Sequence, residues 1–121
     1  MKPYNVPNII PAGTVMNTTI NSVGQQIWNV FGYAIQIVWT GTPTGSFKLQ
    51  ASDDSFNAGI PGNPNHWSDI TDSSVAVTAA GSYMWNVSNP QYVWVRVVYT
   101  DTSGGTSTAV ITSATFNGKG F

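Results

Sequence analysis

An all-β fold, an antiparallel β-sandwich of about eight strands in jelly-roll or related Greek-key order, is predicted by three observations. Short apolar segments alternate with a period of two, and Gly, Pro, Asn and Asp punctuate them. No apolar i, i+3, i+4, i+7 pattern runs far without a Gly or Pro, so helices are not expected. An immunoglobulin-like sandwich is the neighbouring alternative.

The chain starts with an arm, residues 1–12, in which Pro3, Pro7 and Pro11 forbid a regular helix. An extended arm can add a strand to a neighbour's sheet edge, and this one is expected to cross to an adjacent subunit. Weak strand patterns follow at residues 6–10, 13–17 and 25–28. Residues 33–40 are stronger: Tyr33, Ile35, Ile37 and Trp39 alternate with Ala34, Gln36, Val38 and Thr40, which predicts a central strand with both faces largely apolar. The next strand, residues 46–52, has one wet face, with Phe47, Leu49 and Ala51 opposed to Lys48 and Gln50. The intervening Gly41-Thr42-Pro43-Thr44-Gly45 has the composition of a hairpin loop.

Residues 53–65 form the longest irregular segment, with Phe56 and Ile60 as apolar side chains that fold back on the sandwich edge or meet a partner. Strands are predicted again at 74–78, 82–87 and 92–100. In the last of these Val93, Val95, Val97 and Tyr99 oppose Tyr92, Trp94, Arg96 and Val98, which again reads as a central strand. Ser103-Gly104-Gly105 introduces a final strand at 106–116. There is no internal repeat and no linker, and the 121 residues are expected to form one domain.

Only 7% of the chain is charged, with four Lys and Arg, five Asp, no Glu, no Cys and the single His66. Such a set leaves little for acid–base, nucleophilic or metal chemistry. His66 lies near Asp53, Asp54, Asp69 and Asp72, but the spacing matches no calcium loop, and a turn-forming role for these residues is simpler. No two Asp share a strand face, and there is no Gly-x-Ser-x-Gly elbow. The chain is therefore read as a non-enzyme with no cofactor and no metal.

The net charge is −1, and Lys2, Lys48, Arg96 and Lys119 are scattered, so there is no basic footprint for nucleic acid. No stretch approaches the ~20 apolar residues that span a bilayer as a helix, and no membrane role is expected. Pro3, Asn5, Pro7 and Asn8 interrupt any leader-like apolar run, and the absence of Cys suits synthesis in a reducing cytoplasm. Near-zero charge gives weak repulsion between copies, which favours an oligomer or a particle component over a free monomer. The sequons Asn17-Thr18-Thr19 and Asn86-Val87-Ser88 carry no weight in so Asn- and Thr-rich a chain.

Arg96 interrupts the most apolar strand. It is expected in an ion pair or carbonyl clasp, with Asp69 or Asp101 as partner, or at a subunit interface, where Arg is enriched. Tyr4, Val6, Ile9 and Ile10 of the arm, Phe56 and Ile60 of the long loop, and Tyr92, Trp94 and Arg96 make up the candidate subunit interface. The aromatic residues, five of them Trp, either fill the core and an interface or form a platform for carbohydrate.

Several short segments resemble small virion proteins of tailed bacteriophages. They are Trp39-Thr40-Gly41, Gly45-Ser46-Phe47, Gln50-Ala51-Ser52-Asp53, Trp67-Ser68-Asp69-Ile70, Ala80-Gly81, Tyr92-Val93-Trp94-Val95-Arg96-Val97 and Asn117-Gly118-Lys119-Gly120. The resemblance spans roughly Tyr33 to the C-terminus. It implies a particle component such as a capsid decoration, staple or tail-associated protein, assembled as a homo-oligomer, a dimer or trimer, made in the host cytoplasm and bound to other virion subunits, the major capsid protein foremost. A carbohydrate-binding or host-adhesion module is the alternative.

Overall fold

The computed structural model describes residues 3–27, 30–54 and 64–120. Within them the chain forms β1 (Pro3–Pro7), β2 (Thr14–Val15), β3 (Ile20–Asn21), β4 (Gln25–Gln26), β5 (Val30–Thr40), β6 (Gly45–Ser52), β7 (Ser68–Asp69), β8 (Val75–Val77), β9 (Gly81–Ser88), β10 (Trp94–Asp101) and β11 (Val110–Gly120), and no helix. Two antiparallel sheets result. One runs β1-β11-β5-β9, with β2 also on β11; the other runs β3-β10-β6-β7, with β4 also on β10 and β8 also on β6.

Counting each broken pair (β1 with β2, β3 with β4, β7 with β8) as one position leaves eight, ordered 1-8-3-6 and 2-7-4-5. That is the strand order of a jelly roll, in which almost every connection passes from one sheet to the other.

The breaks are patched by side chains. Between β3 and β4, the buried Ser22 receives the N–H of Val97 on its hydroxyl at 2.9 Å and donates its own N–H to the Val97 carbonyl at 2.9 Å. Between β7 and β8, the buried Ser73 hydroxyl accepts from the Leu49 N–H at 3.0 Å and donates to the Ile70 carbonyl at 2.7 Å. A small hydroxyl thus replaces a missing ladder partner on each side of the β10–β6 pair, which a buried backbone group requires.

The period-two alternation is realised on the inner faces. Tyr33, Ile35, Ile37 and Trp39 of β5, Ile111, Ala114 and Phe116 of β11, Phe47 and Leu49 of β6, and Val95, Val97 and Tyr99 of β10 are all buried. Phe47 joins the sheets: its ring lies 5.3 Å from Trp39 and 6.3 Å edge-on from Trp85 in the opposite sheet, and 4.9 Å from Tyr99 in its own. Offset and edge-on rings of this kind add attraction beyond their buried area.

The expectation of a hairpin at residues 41–45 is corrected. β5 pairs with β11 and β9, whereas β6 pairs with β10, β7 and β8, so the loop turns the chain from one sheet into the other. Its glycines serve close approach. A Cβ on Gly41, whose φ is +88°, would come within 2.8 Å of the Ala109 Cα, and one on Gly45 would sit among Thr100 and Tyr99 atoms. The corner is as tight as a hairpin, and composition alone does not separate the two.

The arm is also corrected. It is extended, but it lies on its own chain: β1 pairs antiparallel with β11, from Pro3 opposite Lys119 to Pro7 opposite Thr115. Asn8, at φ +57°, then turns the chain so that Ile9 and Ile10 enter the core at 2% and 1% exposure. The Ile9 N–H donates to Ala114 O, and its carbonyl accepts from the Val23 N–H, tying the two sheets together at this end. The last strand starts later than predicted, because residues 101–107 form a turn held by the Asp101 carboxylate, which accepts from the N–H groups of Ser103 and Gly105 and from the Ser103 hydroxyl.

Candidate functional site

β10 is buried on its inner face by the core and carries Trp94, Arg96 and Val98 on its outer face. Strand register sets Arg96 opposite Gln50 of β6, and Gln50 opposite Asp69 of β7. The three side chains form one row. Arg96 donates through Nε at 2.9 Å and Nη2 at 2.7 Å to Gln50 Oε1, and Gln50 Nε2 donates to Asp69 Oδ1 at 2.9 Å. Lys48, two residues along β6, donates to the same carboxylate at 3.1 Å. The guanidinium carbon lies 4.4 Å from the centre of the Trp67 ring.

The Gln50 amide, then Lys48, holds the Asp69 carboxyl below the usual carboxylate range, and burial pulls the Arg96 guanidinium below its ordinary value. Arg96 therefore makes a carbonyl clasp, with an amide as its acceptor. Asp69 is reached through Gln50, and Asp101 is engaged elsewhere in its turn, where the Ser103 hydroxyl chiefly lowers its pKa. Gly24 fits between Trp67 and Trp94, so the row, the ring and the short strand β7 form a lid over the outer face of β10. Arg96, Gln50, Lys48 and Asp69 thus satisfy one another, while the buried Trp94 Nε1 has no hydrogen-bond partner among the described residues.

A second polar group lies just past the C-terminal end of β6. The Asp54 carboxylate accepts from the N–H groups of Asn65 at 2.6 Å and His66 at 3.1 Å, and meets His66 Nδ1 at 3.1 Å. The Asn65 N–H is the chief cause of the lowered Asp54 pKa. These bonds close the mouth of the loop whose middle lies outside the described residues. Among the described residues no group of three His, Cys, Asp or Glu side chains could hold a metal, and no serine hydroxyl bonds to His66.

Tyr92 donates or accepts a 2.6 Å hydrogen bond with Tyr33, whose ring stacks on Phe116. Burial raises the pKa of both phenols, and the bond to Tyr92 raises that of Tyr33 further.

The predicted interface residues thus separate. Ile9, Ile10 and Trp94 are buried within the chain, the first two because the arm folds back on its own sheet. Val6 is partly buried against the core, Tyr92 is half-buried on Tyr33, and Arg96 belongs to the clasp. Tyr4 lies in β1 opposite Gly118, and Phe56 and Ile60 lie outside the described residues.

The exposed large apolar side chains are Val15, Val23, Tyr83 and Met84. Tyr83 and Met84 on β9 were missed by the sequence reading. The signal available was a Met on the otherwise polar Ser82, Met84, Asn86 face. The outer face of β5, β9 and β11 holds a shallow groove of ≈630 Å³ walled by Asn86, Ser88, Asn117 and Lys119.

No family model matches the chain, and no curated protein sequence does. Among solved structures it is similar to the coat protein of Tobacco streak virus: the TM-score is 0.50 over 97% of this chain and 85% of that one, at 7% identity. A likeness at that identity bears on the fold, and it agrees with the jelly-roll strand order.

Proposed function

We propose that this chain is a non-enzymatic structural protein of a virus particle, acting as a capsid decoration or stabilising subunit of a tailed bacteriophage that binds the major capsid protein from outside. The observation that carries this reading is the use made of its few charges on a jelly roll like that of a viral coat protein. Lys48, Arg96, Asp54, Asp69 and Asp101 each hold the chain's own strands and loops together, and the rest of the described surface is mostly neutral, with Asp53, Asp72 and Lys119 as the other exposed charges. Such a surface suits permanent contact between subunits.

A carbohydrate-binding module would need at least two rings exposed on one concave face. Trp39, Trp85, Trp94, Tyr33 and Tyr99 are buried, Trp67 lies under Arg96, and Tyr83 stands on the sheet edge. The carbohydrate reading therefore has no support in the described residues. Particles purified on density gradients from cells that produce this chain provide the test, by mass spectrometry and electron microscopy. The chain at fixed stoichiometry on the shell exterior supports the proposal; complete particles that lack it refute the proposal.

A further inference from the structure

The two sheets have four edges, and three of them are blunted. In the β3-β10-β6-β7 sheet both edges consist of strands two or three residues long, interrupted by Ser22 on one side and Ser73 on the other. At the β1 edge of the other sheet, Pro3 and Pro7 lack an N–H, and the chain leaves the ladder between β1 and β2. Short edge strands, prolines and breaks are the usual means of preventing strand addition.

β9 has none of these. It is eight residues long, pairs only with β5 among the described residues and lies in a stretch, residues 73–95, without a single charge. It also carries two of the exposed large apolar side chains, Tyr83 at 40% and Met84 at 55%.

We infer that β9 is a homotypic interface, at which the β9 strands of two copies pair antiparallel and join their sheets into one. A second copy is the occupant that fits. The strand offers no charge by which a different, charged segment would be selected, and a net charge of −1 sets little repulsion against self-association. Antiparallel pairing of a strand with itself is also the self-complementary contact that a two-fold axis requires.

The pleat fixes the register further. Tyr83, Trp85 and Val87 share the inner face and Ser82, Met84 and Asn86 the outer, and directly opposed residues must share a face. The axis must then pass through a residue opposite its own copy, not between two residues. Placing it at Met84 sets Met84 against Met84 and Tyr83 against Trp85, and covers both exposed apolar side chains; Tyr83 and Trp85 already meet edge-on at 5.0 Å within one chain. One strand pair falls short of the ~1,200 Å² of a standard interface, so the dimer forms at high protein concentration.

Sedimentation velocity at about 0.1 mM protein is the first test, an affinity range suited to so small a contact. The wild-type chain should sediment as a dimer, and S82K/M84K, which sets like charges across the axis, as a monomer with an unchanged melting temperature. A monomeric wild type, or a variant that still dimerises, overturns the inference.

Single cysteines test the register, because the chain has no native Cys. M84C should form a disulfide-linked dimer on mild oxidation, since opposed Cβ atoms lie about 5 Å apart. N86C should not, because its copy would be displaced by four residues, about 13 Å along the strand. Equal cross-linking of both overturns the register. Pairing at β9 and attachment to a shell are separable, because either result can be obtained without the other.

Discussion

Replacing Gly45 with Ala is the sharpest test of how the sandwich corner is built. Gly45 starts β6, opposite Asp101 of β10 on one side and Val77 of β8 on the other. A Cβ there would lie 2.2 Å from the Thr100 carbonyl oxygen and 2.5 Å from the Tyr99 hydroxyl. The first obstacle is backbone in a central strand, and the second belongs to a fully buried ring. Restoring an ordinary contact requires a shift of about 1 Å in a close-packed interior.

Either β10 yields, disturbing Tyr99 and the Phe47 ring against it, or the first turn of β6 peels away and gives up the pairs Gly45 with Asp101 and Ser46 with Thr100. Overpacking of this kind costs about 1–3 kcal/mol, and two lost ladder bonds cost about 1 kcal/mol each. A total of about 3 kcal/mol corresponds to a fall in melting temperature of about 10 °C for a domain of this size. Calorimetry and urea unfolding of G45A should show that fall with an unchanged denaturant slope. G81A is the control, because its Cβ would meet only a Trp39 ring atom at 3.9 Å, and it should stay within about 0.5 kcal/mol of the parent. If G45A is as stable as G81A, the close approach is not a constraint and the corner is misdescribed.

Three further outcomes follow from the same packing. Tyr99 is fully buried and its hydroxyl has no hydrogen-bond partner among the described residues, so Y99F should be neutral or stabilising by up to about 1 kcal/mol in urea unfolding and should recover part of the G45A loss; destabilisation by more than that refutes it. I10A should cost about 2–5 kcal/mol through the cavity it leaves, with no change in sedimentation, whereas altered assembly at unchanged stability would return the arm to an interface.

The pH profile of the melting temperature should fall at both ends. Folding raises the Tyr33 and Tyr92 pKa values, so their contribution is complete below the ordinary phenol value of about 10 and is lost as pH rises beyond it. Folding lowers the Asp54, Asp69 and Asp101 values, so their contribution is complete above about pH 4 and is lost as pH falls through the folded values. Y92F should flatten the alkaline limb, and an unaltered limb would count against the Tyr33–Tyr92 contact.

Strand identity was legible wherever alternation was strong. β5, β6, β9 and β10 fall where Tyr33–Thr40, Ser46–Ser52, Ser82–Val87 and Tyr92–Thr100 placed them, because inner-face burial imposes its period directly on the residues. What alternation does not encode is which strand lies beside which. Gly41 to Gly45 reads equally as a hairpin or a corner, and only the close approach to Ala109 and Thr100, residues far away in sequence, decides it. The burial of Ile9 and Ile10 was hidden for a related reason: they are apolar in an arm that looks detached, and the Asn8 turn that buries them depends on β11 being there to receive β1. Arg96 was recognised as needing a partner, but Gln50 carries no charge to mark it, and register alone brings the two together.

The scarcity of charge acquires a structural meaning from these contacts. Broken edges are sealed by neutral hydroxyls, Ser22 and Ser73, and five of the nine charged side chains, Lys48, Arg96, Asp54, Asp69 and Asp101, are bound into the clasp on β10 or into loop closures. With so few charges in the chain, the proposed contact between copies would draw on backbone hydrogen bonds and apolar area, which salt screens little. Both are offered together at β9, where unpaired backbone runs beside Tyr83 and Met84, while the other three edges are closed. A chain selected only to remain a soluble monomer would gain from one Lys or Pro in that strand, and the other edges of the same molecule already carry such protection. Its absence at β9 alone is the asymmetry on which the proposed pairing of two copies rests.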